Sequence, residues 1–155
     1  MTLRACSIIS LLVAGASLLP AQPVNGAPLT VPAPRKLTLQ HGATAAAPIR
    51  VEVRNGYHVN SHKPTEEYLI PLTLEWSGGL ESTGNDFPAP KMAKYSFSPQ
   101  PIAVYTSDFT ITAKFRAPKT AGQGVTTGRL RYQACTNSLC LPPKTVEIKL
   151  PYEVQ

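Results

Sequence analysis

The sequence is poor in charged residues, in aromatic residues and in long apolar runs. Charged residues make up 15% and aromatic residues 7% of the 155 residues, with a single tryptophan. The hydrophobic share of 43% excludes an intrinsically disordered chain and suffices for one core. The 16 prolines and 10 glycines interrupt the chain every few residues, which argues against long helices. The length suits a single domain.

The longest apolar run lies at the N-terminus, in residues 8–19. It holds about a dozen residues, whereas a membrane-spanning helix needs about 20. Arg4 precedes the run and small residues follow it, which is the pattern of a secretory signal peptide. The sequence therefore predicts a signal peptide over residues 1–27, with cleavage after Ala21 or near Ala27. We expect the mature protein to be exported, to the periplasm or the medium, and to lack a membrane span.

Cysteine is also scarce, with three residues in the chain. Cys6 lies before the apolar run, whereas a lipid-anchored cysteine would follow it, so we expect Cys6 to leave with the signal peptide. Cys135 and Cys140 then remain in the mature chain. An exported compartment permits a disulfide bond between them.

Alternation of apolar and polar residues dominates the chain after residue 35. The alternating runs are residues 36–39, 49–54, 72–76, 109–116, 129–134 and 146–152. Turn-forming residues separate them, at 55–56, 77–79, 82–86, 99–101 and 119–124. Runs with one apolar and one polar face are typical of antiparallel strands. The pattern therefore predicts an all-β, two-sheet sandwich over residues 36–155, preceded by a flexible lead-in at residues 28–35.

The chain is basic, with a formal net charge of +6. Its Lys and Arg residues are scattered, and several alternate along predicted strands, as Arg129 and Arg131 do. This spacing marks solvated strand faces. A nucleic-acid partner would need clustered basic residues with exposed aromatic side chains, so we do not expect one.

The residues between Cys135 and Cys140 are typical of a turn. A disulfide here would staple a tight hairpin, and closing so short a loop stabilises a fold by only about 2 kcal/mol. The spacing therefore favours a bond kept for its chemistry, with a structural staple as the alternative. The motif contains no Lys, Arg or His that would lower a thiol pKa. It suits a substrate or relay of another thiol protein better than an independent oxidant.

Two segments of the sequence resemble a known family. Residues 132–143 read Tyr-Gln-Ala-Cys-Thr-Asn-Ser-Leu-Cys-Leu-Pro-Pro, and residues 56–64 read Gly-Tyr-His-Val-Asn-Ser-His-Lys-Pro. Both are similar to segments of the N-terminal domain of the thiol–disulfide interchange protein DsbD, and the resemblance covers roughly residues 36–155. It implies an immunoglobulin-like antiparallel β-sandwich in the periplasm, without a cofactor. It also implies thioredoxin-like periplasmic proteins as electron donor and acceptor.

The resemblance assigns a role to each cysteine. Cys140 corresponds to the cysteine that forms the mixed disulfide with partners, and Cys135 to its partner thiol. The domain would then be a thiol–disulfide relay and a component of a protein-disulfide reductase. Full-length members of the family add a membrane domain and a thioredoxin domain. This chain ends at Gln155, so we expect another chain to reduce it. Nothing in the sequence demands more than a monomer.

Members of this family also shield their cysteines with a short cap loop that carries aromatic residues and acids. The resemblance places that loop at residues 102–106, with Val104 and Tyr105 over the site and without the acids of the best-known members. Further residues that flank the cysteines are candidates for lining the site. They are Tyr132, Gln133 and Pro142.

His58 and His62, together with the two cysteines, raise the alternative of a Cys2His2 metal site. Residues four apart in a strand are separated by more than about 13 Å, too far for one ion. We therefore expect no metal, and we expect surface or strand-edge histidines, as at His41. The remaining alternative to redox exchange is an exported β-sandwich binding module whose disulfide is structural.

Overall fold

A computed structural model describes residues 26–155 of the protein, and the signal peptide predicted for residues 1–27 lies almost wholly outside this range. Residues 26–155 form twelve strands and no helix. The strands are β1 (Leu29–Thr30), β2 (Leu37–Leu39), β3 (Thr44–Val53), β4 (His58–Asn60), β5 (Thr73–Ser77), β6 (Glu81–Asp86), β7 (Lys91–Ala93), β8 (Ile102–Tyr105), β9 (Phe109–Arg116), β10 (Gly122–Tyr132), β11 (Ala134–Cys135) and β12 (Lys144–Val154). In this part of the chain, no helix is long and apolar enough to cross a membrane.

Two four-stranded sheets form a sandwich, in the strand orders β1-β3-β9-β6 and β2-β12-β10-β5. One hydrophobic core joins them. Ile49 and Phe115 from the first sheet are fully buried in the same cluster as Leu130 and Leu150 from the second. Pairing within the sandwich is antiparallel, except that β2 and β12 run parallel. The predicted all-β class and the immunoglobulin-like sandwich are confirmed.

Alternation of apolar and polar residues explains why the long segments form strands. In β3, Ile49, Val51 and Val53 are buried, whereas Arg50 is exposed on the opposite face. β-Branched residues at alternate positions fit a pleated sheet with one buried face, which is why this segment prefers a strand to a helix. Each of the six alternating runs in the sequence overlaps at least one strand of the structure.

The segment 82–86, which its composition predicts to be a turn, instead belongs to strand β6. A register shift next to Gly84, whose φ is 139°, lets this edge strand pair with β9. The side chain of Asn85 accepts a hydrogen bond from Trp76 Nε1 at 3.0 Å and donates one to the Leu74 carbonyl at 2.8 Å. The polar residues that suggested a turn therefore connect the edges of the two sheets.

The lead-in predicted at residues 28–35 also needs correction. Leu29 and Thr30 form strand β1, which pairs with β3 opposite Val53 and Glu52. Leu29 is fully buried in the main core, so the first residues of the described chain are part of the sandwich. The two residues of this strand are too few to form an alternating pattern, so the sequence does not predict it.

A third four-stranded sheet, in the order β11-β4-β8-β7, carries the cysteine motif. β11 follows the last residue of β10 after a single residue, Gln133, so the motif is an extension of a sandwich strand. Ile102 and Val104 of strand β8 form a separate small core with Leu69. The third sheet therefore holds the cysteines on a packed frame rather than on a free loop.

Candidate active site

Cys135 and Cys140 form a disulfide that closes a short hairpin. Their Sγ atoms are 2.00 Å apart and their Cα atoms 3.9 Å apart, and the two residues form an isolated antiparallel bridge. Within the hairpin, the backbone N–H of Thr136 donates to the Leu139 carbonyl at 2.8 Å. The Thr136 hydroxyl accepts from the Leu139 N–H at 3.3 Å. These local bonds fix the turn that brings the cysteines together.

The two cysteines differ in access to solvent. Cys135 is 0% exposed, whereas Cys140 is partly exposed and its neighbour Leu139 is 53% exposed. A partner can therefore approach the Cys140 side of the disulfide, while Cys135 is shielded by protein.

Gln133 connects the segments on both sides of the hairpin. Its Oε1 accepts hydrogen bonds from Asn60 Nδ2 at 3.0 Å and from the Ile70 N–H at 3.2 Å. Its Nε2 donates to the carbonyl of Leu141, the residue after Cys140, at 3.3 Å. Gln133, which the sequence predicts to line the site, thus holds the end of the hairpin against strand β4 and the segment after β4.

Removing this connection is expected to destabilise the oxidised domain. In Gln133→Ala, the Ile70 N–H and the Leu141 carbonyl lose their side-chain partner in a half-buried place. We expect a loss of about 1–3 kcal/mol in the free energy of unfolding. Urea denaturation measures it, with Gln123→Ala in the exposed part of β10 as the matched control. A loss no larger than that of the control would show that Gln133 does not stabilise the hairpin.

His58 is the residue directly opposite Cys135 in the pairing of β4 with β11. It is 2% exposed. The ring of Tyr95 stacks on the imidazole with centroids 3.9 Å apart, and Phe97 stacks further out at 6.2 Å. The Ser96 hydroxyl donates to the Asn137 carbonyl in the cysteine hairpin at 3.0 Å. We call Tyr95 and Phe97 the aromatic cover, because their segment contacts both the hairpin and the strand next to it.

The cap loop predicted at residues 102–106 is therefore misplaced. Residues 102–105 form strand β8, where Val104 is fully buried in the small core of the third sheet. The Tyr105 hydroxyl donates to the Pro88 carbonyl at 2.9 Å and lies 3.0 Å from His62 Nδ1. The aromatic cover comes earlier in the sequence. The signal for it was a pair of aromatic residues, two apart, among the turn-forming residues before β8.

The expectation that His58 and His62 are surface or strand-edge residues is wrong for His58. Burial lowers the pKa of His58 from 6.5 to about 4, so the imidazole is neutral near pH 7. Its Nε2 is buried and has no hydrogen-bond partner among the described residues. His62 is half-buried, and both burial and Lys63 lower its pKa. His41 is exposed at a strand end, as predicted, with Nδ1 3.2 Å from the Gln155 carbonyl.

The metal alternative has no support in the geometry. Among residues 26–155, no group of three or more His, Cys, Asp and Glu side chains could hold an ion. His58 stacks on Tyr95, whereas His62 stacks on Phe87 with centroids 4.6 Å apart. Both cysteine sulfurs are bonded to each other.

The remaining two candidates for lining the site fall in different places. Tyr132 is 2% exposed and belongs to the main core of the sandwich, where burial raises the pKa of its phenol. Its role is therefore to anchor the end of β10. Pro142 is exposed and follows the residue that Gln133 binds. The structure adds His58 as the strand partner of Cys135, and Tyr95 and Phe97 as the rings that stack on His58.

These features define the class of the protein: an immunoglobulin-like β-sandwich that carries a cysteine-pair hairpin on a third sheet. The sequence model of the family described as "Thiol:disulfide interchange protein DsbD, N-terminal" matches residues 26–151. The chain belongs to this family. Membership and the Cys135–Cys140 disulfide together support a thiol–disulfide exchange domain.

The solved structures to which this chain is similar include N-terminal domains of ScsB and of DsbD. The N-terminal periplasmic domain of ScsB from Proteus mirabilis is 12% identical with a TM-score of 0.56, and the match covers 79% of this chain and 44% of that chain. The reduced DsbD N-terminal domain of Neisseria meningitidis is 18% identical with a TM-score of 0.46, covering 74% of this chain and 86% of that one. The structure of the complex between the DsbD and PilB N-terminal domains of Neisseria meningitidis is 18% identical with a TM-score of 0.46. The match covers 86% of this chain and 88% of that chain. This chain thus spans less than half of the ScsB domain. No curated protein matches it.

Proposed function

We propose that this protein is an exported, periplasmic thiol–disulfide relay, which passes reducing equivalents between thioredoxin-like proteins through Cys135 and Cys140. In that role it is a component of a protein-disulfide reductase. The observation that carries the proposal is the asymmetric pair: Cys140 is partly exposed beside an exposed leucine, and it is bonded to a fully buried Cys135. Exchange needs one cysteine that a partner can reach and a second that can displace that partner.

The exchange proceeds in two balanced steps. The Cys140 thiolate of the reduced domain attacks one sulfur of a partner disulfide, and the other partner sulfur leaves as a thiolate. Cys135 then attacks Cys140 Sγ, re-forms the domain disulfide and releases the second partner thiolate. Two electrons pass from the domain to the partner, which takes up two protons. Reduction of the domain by a dithiol partner runs the same steps in reverse.

A purely structural role for this disulfide accounts for fewer of the observed features than a chemical role does. The hairpin already has its own turn hydrogen bonds, and Gln133 secures its end. The sandwich core of Phe115, Leu130 and Leu150 lies in other strands and does not depend on the bond. Closing so short a loop contributes only about 2 kcal/mol in the chain-entropy model. The position of the bond suits chemistry with a partner better than support of the fold.

The exposed Leu139 supports a protein partner rather than a small thiol as the natural substrate. It is 53% exposed directly before Cys140. An apolar side chain next to a reactive sulfur offers area for a protein surface to bury when the mixed disulfide forms. A thioredoxin-like partner suits this arrangement because its own reactive cysteine lies at an accessible site.

The reduction potential of the pair tests the proposal. We expect a value between about −180 and about −270 mV, the range of thioredoxin-fold exchange proteins. Equilibration in glutathione or dithiothreitol buffers, followed by counting of free thiols, measures it. The doubly substituted Cys135→Ala, Cys140→Ala protein gives the baseline. A value well below about −300 mV would identify a structural bond and favour the alternative, an exported β-sandwich binding module.

A further inference from the structure

Strand pairing places His58 and Cys135 side by side. The two residues are direct partners in the antiparallel β4–β11 pair. Partners of this kind have side chains on the same face, with Cβ atoms about 4.5–5.5 Å apart. Both residues are buried, at 2% and 0% exposure. The imidazole is therefore the ionisable side chain that the sheet itself brings to the buried cysteine.

The imidazole has an unused polar atom. Nε2 of His58 is buried and makes no hydrogen bond to any other described residue. A buried polar atom left without a partner is energetically costly, so it calls for an explanation. In the oxidised state Cys135 carries no proton and cannot be a donor. Reduction of the disulfide places an S–H on Cys135, the direct strand partner of the residue whose ring nitrogen lacks a donor.

We propose that His58 is the proton acceptor for Cys135, receiving the proton of the Cys135 thiol at Nε2 when Cys135 attacks Cys140. This inference deepens the proposed exchange function and rests on it. Cys140 can lose its proton to solvent because it is partly exposed. Cys135 has no such route, since it is fully buried. A thiol must become a thiolate to attack, so the buried cysteine needs a base within the protein.

The step balances in protons and electrons. The bond from Cys135 Sγ to Cys140 Sγ forms while the bond from Cys140 Sγ to the partner sulfur breaks. The Cys135 proton moves to His58 Nε2, and the leaving partner thiolate takes a proton from His58 or from water. In the reverse direction, a partner thiol attacks Cys140 and gives its proton to His58 Nε2, and His58 passes that proton to the Cys135 thiolate as it leaves.

The surroundings keep His58 in the form that this step needs. Burial lowers the pKa of His58, so the imidazole is neutral at neutral pH, but the same burial weakens it as a base. The titratable neighbour on its stacked face is Tyr95, whose own pKa is raised by burial, so the phenol is neutral too. The negative charge that develops on Cys135 then favours the protonated imidazole through a short electrostatic attraction.

Rapid mixing of the reduced protein with oxidised glutathione separates the two steps. Capture of glutathione by Cys140 is second order, and its displacement by Cys135 is first order and independent of glutathione concentration. Acid quenching and mass spectrometry follow the glutathione adduct. We expect His58→Phe, which keeps a ring for Tyr95 to stack on, to slow the first-order step on the order of 100-fold. The second-order step should be unchanged, so the adduct should accumulate.

Two further variants make the result decisive. His58→Gln offers an oxygen that accepts a hydrogen bond but cannot take the proton, so it should slow the first-order step similarly. His41→Phe makes the same substitution at an exposed histidine and should match the wild type. First-order rates within threefold of wild type in both His58 variants would overturn the inference. So would an equal loss in both steps, which would indicate a disturbed hairpin.

The behaviour of the wild type separates this inference from the proposed function. A wild-type protein that forms no mixed disulfide with an oxidised thioredoxin-fold protein would reject exchange itself. A wild type that reacts normally, with His58 variants that do the same, would reject only the role of His58.

Discussion

A Cys135→Ala protein is expected to accumulate a mixed disulfide with an oxidised thioredoxin-fold protein, whereas a Cys140→Ala protein is expected to form almost none. In the first variant, the partly exposed Cys140 can attack but no second thiol can release the partner. In the second, the remaining thiol is fully buried. Because attack requires access of the thiolate to the partner sulfur, we expect the adduct to differ by at least about tenfold. Non-reducing electrophoresis with mass spectrometry measures the adduct.

A small aromatic disulfide, 5,5′-dithiobis(2-nitrobenzoic acid), is the control for size. It should label Cys140 quickly and Cys135 slowly in the folded variants, and both equally after denaturation. The wild type should form only a transient adduct, because Cys135 resolves it. Equal adduct yields from the two folded variants would contradict the division of roles between the cysteines.

Acid is expected to weaken the oxidised wild-type protein more than a His58→Phe variant. The pKa of His58 is about 4 when folded, against 6.5 as its ordinary value. The unfolded chain therefore binds more protons between these two pKa values, so the stabilising contribution is complete above pH 6.5 and is lost as the pH falls towards 4. The expected extra loss between neutral pH and about pH 4 is about 2–3 kcal/mol.

Urea denaturation at several pH values measures this difference. Glu147 and Glu153 also lose stabilising pairs with Lys149 and Lys36 in acid, since those lysines lower their pKa values. Both glutamates are present in the wild type and in the variant, so their contribution cancels. Parallel pH curves for the two proteins would show that His58 ionises as freely in the folded state as in the unfolded state.

A strand can be predicted from the sequence when the pattern that defines it lies within its own residues. β9 and β12 alternate over many residues and lie where the sequence predicts them, whereas β3 begins five residues before its predicted run. β6 was missed because Gly84, Asn85 and Asp86 are common in turns. Its pairing with β9 and the hydrogen bonds of Asn85 override that local preference. β8 gives no alternating pattern because all four of its residues are buried.

The features of the site also divide into those that local sequence predicts and those that depend on contacts between distant segments. The spacing of Cys135 and Cys140, with turn residues between them, predicts the hairpin from sequence alone. The sequence could not place His58, because the partner of a strand residue lies in a segment more than 70 positions away and its identity depends on register. The cap loop predicted at residues 102–106 lies one segment after the observed aromatic cover, for a related reason. Tyr95 and Phe97 acquire their role from the ring they stack on, which is a contact between separate segments.

The sequence by itself determined the class of fold, the cysteine pair and the family, since alternation and short motifs are properties of neighbouring residues. Tertiary structure decided which cysteine is buried, which histidine is its strand partner and which aromatic residues stack on that histidine. Burial and cross-strand contact arise only when distant segments pack together. The chemistry of this pair is therefore encoded in two steps: the motif supplies the sulfurs, and the register of β4 against β11 supplies their environment.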